Sequence, residues 1–248
     1  MSNVLLLRIL GYIWTAFGAC WIGFSLMRKA PDGKARKARG PVVAVLAIAF
    51  VLLFLGRNRI PPALLLVFGL AWGAAALYWT SPVKAAQSGE FRWYRLLRLA
   101  VLAATFALLF WDATGIGPLN KKFLPATLVF GLVGLALALG GMAITLWARF
   151  ALGQFWSDRV ILQADHQLIR TGPYAYMRHP IYSGVLLGVL GTALVLGKWR
   201  GLLAFVLLLI NYAIKAKREE RILADRFLDQ FQEHVTRAGF LLPRLRSR

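Results

Sequence analysis

The stretch PATLVFGLVGLALALGGMAITLWAR, Pro125 to Arg149, carries one ionisable side chain, the Arg149 that ends it. About 20 consecutive apolar residues in a helix cross the roughly 30 Å of hydrocarbon in a bilayer. A run this long and this free of charge reads as a transmembrane helix.

Outward from it, apolar runs at Val4 to Met27, Pro41 to Gly56, Pro62 to Trp79, Leu96 to Trp111, Ile181 to Gly197 and Gly201 to Ile214 mark the same kind of element. The fold class that follows is an all-α integral membrane protein of about seven transmembrane helices, or five if two of the shorter runs are re-entrant. Of the 248 residues, 59% are hydrophobic and 16% charged, more apolar material than one soluble core of this size hides. The runs recur along the whole chain, so a cleaved leader does not account for them. Cys20, the one cysteine, lies inside the first run and leaves neither an intrachain disulfide nor a thiolate cluster.

A formal net charge of +20 would point to nucleic acid in a soluble chain. Here the distribution of the charge points elsewhere. Alternating the connections across the bilayer puts 23 of the 30 Lys and Arg on one side, six of them in Arg28 to Arg39 and nine from Lys215 onward. Cationic loops stay cytoplasmic, so the N-terminus is expected outside and the C-terminus inside, in an inner or plasma membrane. The Arg28 to Gly40 run is a topology signal first and an anionic-lipid patch second. Trp79, Trp93, Tyr94, Trp111 and Trp199 fall near span ends, as an interfacial belt requires. Gly69 with Gly73, and Gly184 with Gly188, lie four apart and allow helices to approach closely.

The spans before Ala148 hold almost no ionisable side chain, so polar chemistry is expected after them. Gln154 to Pro180 is the longest non-apolar stretch. Within it Arg170 to Tyr174 reads as a turn, since Gly172 permits positive φ and Pro173 fixes the next one. Pro180 suits the first turn of the following helix. That helix start, beside Arg178 and His179, is expected to form an open site for a carboxylate or phosphate; a basic interfacial anchor is the plain alternative. Lys215 and Glu219 stand one helical turn apart where the last span leaves the membrane, next to Glu220, and an ion-paired solvated stem is the plain alternative there. His166, His179 and His234 lack metal-ligand spacing, and no zinc-protease helix, nucleophile elbow or phosphate loop is present.

The run HQLIRTGPYAYMRHPIYSG, His166 to Gly184, followed after one more span by Glu219-Glu220, resembles the isoprenylcysteine carboxyl methyltransferase family, and related membrane phospholipid methyltransferases share the pattern. The similarity covers Trp147 to the C-terminus. It includes a tail in which Phe227, Phe231, His234 and Pro243 fall where the family has a Phe-Gly, two tyrosines and a terminal proline.

The resemblance implies methyl transfer from S-adenosylmethionine to a lipophilic acceptor or membrane lipid, with no nucleic acid involved. Carried over residue by residue, it implies cofactor contacts at His166, Gln167, Leu168, Ile169, Tyr174, His179, Pro180, Ile181, Tyr182 and Glu219. It places Lys215 where the isoprenylcysteine enzymes have a substrate-binding arginine, with Arg178 the other candidate catalytic residue. Lysine is a point charge and lacks arginine's planar fork, so it would hold a carboxylate more loosely. A carboxylate or thiolate acceptor needs no general base, which fits a site short of bases. Methyl esterification of a carboxylate is the leading expectation; a phospholipid amine or small thiol is the enzymic alternative, and a non-catalytic scaffold or transporter subunit the other. The chain is expected to divide into N-terminal spans, 1–146, and a methyl-transfer module, 147–248.

Overall fold

The computed structural model describes residues 3–26, 92–110, 117–152 and 168–244. The chain forms two compact units, Val4–Val83 and Lys84–Arg248, the latter with Met1–Asn3. In the first unit the described element is α1, Asn3–Leu26. The spans expected at 41–56 and 62–79, the Arg28 to Gly40 run and the Gly69/Gly73 pair lie outside the described residues.

The second unit contains α2 (Arg92–Phe110), α3 (Leu128–Leu152), α4 (Pro180–Leu196) and α5 (Trp199–Arg237), with short 3-10 turns at Gly117–Asn120 and Gly172–Ala175. Among the described residues all regular structure is helical, apart from two isolated bridges, so the all-α class stands. Five helices are described, and α3 and α5 are long and apolar enough to cross a membrane. The boundary expected at 146/147 lies within α3, away from the edge between the two compact units.

The bundle is organised around the seam between α3 and α4. In a bilayer no hydrophobic effect drives two apolar helices together, and close backbone packing does the work instead. Glycines supply it: a Cβ placed on Gly134 would lie 2.5 Å from the Gly191 carbonyl oxygen, and one on Gly141 would lie 2.6 Å from the Gly188 nitrogen. Ala138 fills the next small position and is fully buried. The hydroxyls in this seam bond within their own helices, Thr145 to the Gly141 carbonyl and Thr192 to the Gly188 carbonyl, each at 2.8 Å. The Gly184/Gly188 spacing thus does what it predicted, both residues meeting Gly141 on α3, while Gly191 meets Gly134.

Gly197, at φ 63°, ends α4 in the left-handed conformation, and α5 starts two residues later. This corner is tied to the 121–123 segment by Phe123 N–H to Gly197 O (2.9 Å) and Trp199 N–H to Lys121 O (3.2 Å). α2 runs antiparallel along α5: Arg200 donates to the Leu108 carbonyl (2.9 Å) near one end, and the Arg218 guanidinium lies 3.6 Å over the Tyr94 ring near the other. At about 1.5 Å per residue, Glu219 stands about 30 Å along α5 from Trp199. Past Ile214 the helix turns polar, and it breaks at Leu228, the one described non-glycine residue with positive φ (40°). That position directly follows Phe227, where the resembled family has Phe-Gly.

Candidate active site

The antiparallel order brings the end of α3, the start of α4 and the middle of α5 to one end of the bundle, where the predicted residues gather. The turn forms as expected: Gly172 has φ 61° and opens the 3-10 helix Gly172–Ala175, with Pro173 in its first turn. His179 caps α4 and the buried Pro180 follows it at the first helical position.

Adjacent residues on a helix point about 100° apart, so Glu219 and Glu220 address different partners. The Tyr182 hydroxyl reaches both Glu219 carboxylate oxygens, at 2.7 and 2.8 Å. Lys215 Nζ lies 3.8 Å from Glu219 Oε1 and 5.2 Å from the centre of the Tyr182 ring. Lys215 is itself buried, so the solvated-stem reading does not describe it. Glu220 Oε1 accepts from Arg178 Nε at 2.6 Å and from His179 Nε2 at 3.2 Å. Burial alone would raise the Glu220 pKa; the hydrogen bonds and charges of His179 and Arg178 outweigh it and hold the carboxyl below its usual range. An ionised carboxylate only accepts, so the proton facing Glu220 sits on His179 Nε2. The other ring nitrogen, Nδ1, lies 3.7 Å from Glu219. Stacking of Tyr182 on His179 (5.5 Å, 10°) and on Tyr212 (4.8 Å, 28°) holds the imidazole between the two acids.

The expectation of an open anion site at the α4 start needs correction. Arg178 faces inward, donating from its guanidinium to Glu220 and to the Ala238 carbonyl at 2.5 Å. The tail after α5 then covers the turn: Arg178 N–H donates to Gly239 O (2.8 Å), His179 N–H to Phe240 O (3.3 Å) and Gly239 N–H to Tyr176 O (3.0 Å). Ser183 Oγ closes the clasp on the Leu241 carbonyl at 2.5 Å. The backbone N–H groups of Arg178 and His179, just ahead of the helix, are met by carbonyls of the tail, which nothing in the local sequence announced.

Leu168, Ile169, Tyr174, Arg178 and His179 line one cavity of about 70 Å³, as does His234. The Tyr174 hydroxyl is pushed well above its ordinary pKa by burial and then by the Glu219 charge, so it stays a protonated donor. Glu219, Tyr182 and Lys215 form a second group, joined to the first by His179. Ile181 is half-buried at the start of α4. His166 and Gln167 lie outside the described residues. Sequence reasoning did not single out Tyr212, took His234 only as part of the tail that the resemblance covers, and took Glu220 only as half of an acidic pair. The acidic pair was the signal for Glu220 and the tail position the one for His234; for Tyr212 there was none, because long-range packing places it.

Residues 129–230 match the family model described as phospholipid methyltransferase. The cobalt-zinc-cadmium resistance protein CzcN of Cupriavidus metallidurans is 31% identical over 158 residues, 60% of this chain and 62% of that protein. The protein-S-isoprenylcysteine O-methyltransferase of Schizosaccharomyces pombe is 37% identical over 98 residues, 34% of this chain and 42% of that one. The chain therefore spans less than two thirds of the length of either relative. A solved structure of the eukaryotic intramembrane Ras methyltransferase, isoprenylcysteine carboxyl methyltransferase, aligns with a TM-score of 0.44 and 19% identity, covering 95% of this chain and 84% of that one. The resemblance to isoprenylcysteine carboxyl methyltransferases read from the motif is thus also a similarity of extended sequence.

Proposed function

We propose that this chain is an integral membrane methyltransferase that uses S-adenosylmethionine and acts on a lipophilic acceptor, with O-methylation of a carboxylate as its leading reaction. The observation that carries the reading is the meeting of two distant motif pieces, Leu168 to Tyr182 and Lys215 to Glu220, in one polar cluster at the end of apolar helices.

The donor set suits the cofactor. Its amino-acid end carries an ammonium, for which Glu219 is an acceptor, and its uncharged adenosine end suits the walls formed by Leu168 and Ile169. Tyr174 offers a buried phenolic donor. His179 is oriented by Glu220, and Glu220 is held in turn by Arg178, so the last two position rather than bind. When bound, the cofactor supplies a methyl group on a sulfonium. Holding acceptor and methyl carbon at attack distance is then the main task left to the protein. Lys215, buried beside Glu219 and Tyr182, is placed to orient an anionic acceptor. We assign the cluster to the cytoplasmic side on the charge asymmetry, with the acceptor entering laterally from the bilayer, and the transfer role to residues 147–248.

A second reading keeps the same cofactor site but takes a phospholipid amine. Two observations favour it: the matching family model, and the Glu219 carboxylate beside Lys215, which reduces the positive charge open to an anionic acceptor. Purified full-length chain in detergent should bind S-adenosylmethionine by calorimetry and transfer labelled methyl. A base-labile product on a prenylated cysteine supports the first reading, and a base-stable one on phosphatidylethanolamine the second. A folded chain that binds no cofactor would leave the scaffold alternative.

A further inference from the structure

We infer that His234 is a further cofactor-binding residue, its imidazole making a hydrogen bond to the adenosine end of S-adenosylmethionine in the cavity it lines. This rests on the methyltransferase reading and extends it to the last turn of α5, where the resembled family has a tyrosine in place of His234.

The first observation is a contrast between two buried histidines. His179 is 6% exposed and His234 4%. His179 has a carboxylate oxygen near each ring nitrogen, whereas the His234 ring forms no hydrogen bond among the described residues. Tyr174 lines the same cavity, its hydroxyl also without a hydrogen bond among the described residues. The polar atoms of neither side chain are sealed off, so both keep hydrogen-bonding capacity at the cavity they line, where one bound molecule can meet both.

The second observation is the chemistry of the walls. Leu152, Leu168, Ile169, Leu223 and Phe231 make most of the remainder apolar, and the other two lining residues, Arg178 and His179, are already engaged by Glu220. The cavity of about 70 Å³ holds several waters, at about 10–15 Å³ each. Burial, with Arg178, Arg170 and His179 nearby, pushes the His234 pKa down to about 4, the opposing effect of Glu220 being smaller. The neutral ring offers one donor and one acceptor. That pair between apolar walls matches the edge of a purine or a ribose hydroxyl better than an ammonium or a carboxylate. The cofactor then divides naturally, its charged end toward Glu219 and its adenosine end toward His234 and Tyr174.

The test uses the full chain in detergent with S-adenosylhomocysteine as probe. His234→Phe should weaken its binding at least tenfold by calorimetry, and His234→Gln, which keeps a donor and an acceptor, should recover to within about threefold of the wild type. Independently, nitrogen-labelled histidine gives only three imidazoles, His166, His179 and His234, and the His234 ring signals should move when the probe is added. Should His234→Phe fail to fold, the glutamine variant and the wild-type spectra decide. Wild-type binding with His234→Phe within twofold, or with unmoved His234 signals, overturns this inference and leaves the function standing. No wild-type binding at all overturns both.

Discussion

Along the α3–α4 seam the helices approach because Gly134, Gly141, Gly184 and Gly191 have no side chains, whereas just beyond its end contact is made by Arg178, His179, Tyr182, Glu219 and Glu220. The seam tolerates nothing added, and the cluster tolerates nothing removed. In hydrocarbon, packing distance is the variable that stabilises a helix pair. Among buried charges, completeness is what matters, because half of an ion pair is worse than none.

The sharpest way to break this contrast is Gly141→Leu. A Cβ there meets backbone of Gly184 and Gly188, which cannot swing aside as a side chain can. Overpacking commonly costs about 1–3 kcal/mol, and a clash of backbones should exceed that, read as loss of cooperative thermal unfolding and of cofactor binding together. Gly140→Ala is the control: nothing lies within 4 Å of its Cβ, so helix propensity should raise stability by up to about 1 kcal/mol.

At the polar end, Arg178→Leu leaves Glu220 half-buried without its nearest partner and removes a side-chain tie to the tail. We expect a loss of about 2–3 kcal/mol in unfolding free energy and faster proteolysis after Ala238. A drop without new cleavage would show that the tail holds by its backbone bonds alone.

Glu219→Gln separates the two groups within the cluster. Cofactor affinity should fall about tenfold, or about 1.4 kcal/mol, by calorimetry, while Lys215→Ala should leave that affinity within about twofold and raise the acceptor KM. Equal effects of both variants on cofactor affinity would merge the two groups into one.

Acid should erode the cluster while leaving the seam alone. The Glu220 pKa is depressed in the folded chain, so its contribution is present above the ordinary carboxylate value and is lost as pH falls through the folded one. His234 acts in the same direction between its ordinary 6.5 and about 4, where the unfolded chain takes up a proton first. Unfolding temperature should therefore decline as pH falls below about 6.5, with Glu220 adding to the decline only below the ordinary carboxylate value of 4.5, and His234→Gln should flatten the upper part of that decline.

The smallest effect is expected at Leu228, whose φ of 40° suits glycine. Leu228→Gly should gain about 1 kcal/mol, since a left-handed non-glycine residue costs about that much. No gain would mean that the break in α5 relaxes in solution.

Periodicity and apolar length were enough to place α1, α2, α3 and α4 within a few residues, because a span's length is set by the bilayer and not by its neighbours. The Gly172 turn and the Pro180 helix start were legible for a similarly local reason: φ preferences belong to the residue. The continuation of α5 through its polar half to Arg237 was not, since no apolar pattern marks it. Glu220 as the hub of Arg178 and His179, Tyr212 behind Tyr182, and His234 on the cavity wall all depend on segments about 30 to 60 residues apart meeting at one end of the bundle.

By itself, then, the sequence determined the membrane character, the positions of α1 to α4 and a motif that resembles one family, all properties carried by short stretches of chain. Tertiary structure alone decided which of the two glutamates holds Arg178, and that the tail carbonyls, not an outside anion, cover the start of α4. The physical reason is that hydrogen bonds and ion pairs act over about 3 Å, and only the glycine seam, by fixing how closely and in what register α3 and α4 pack, determines which distant residues come within that reach.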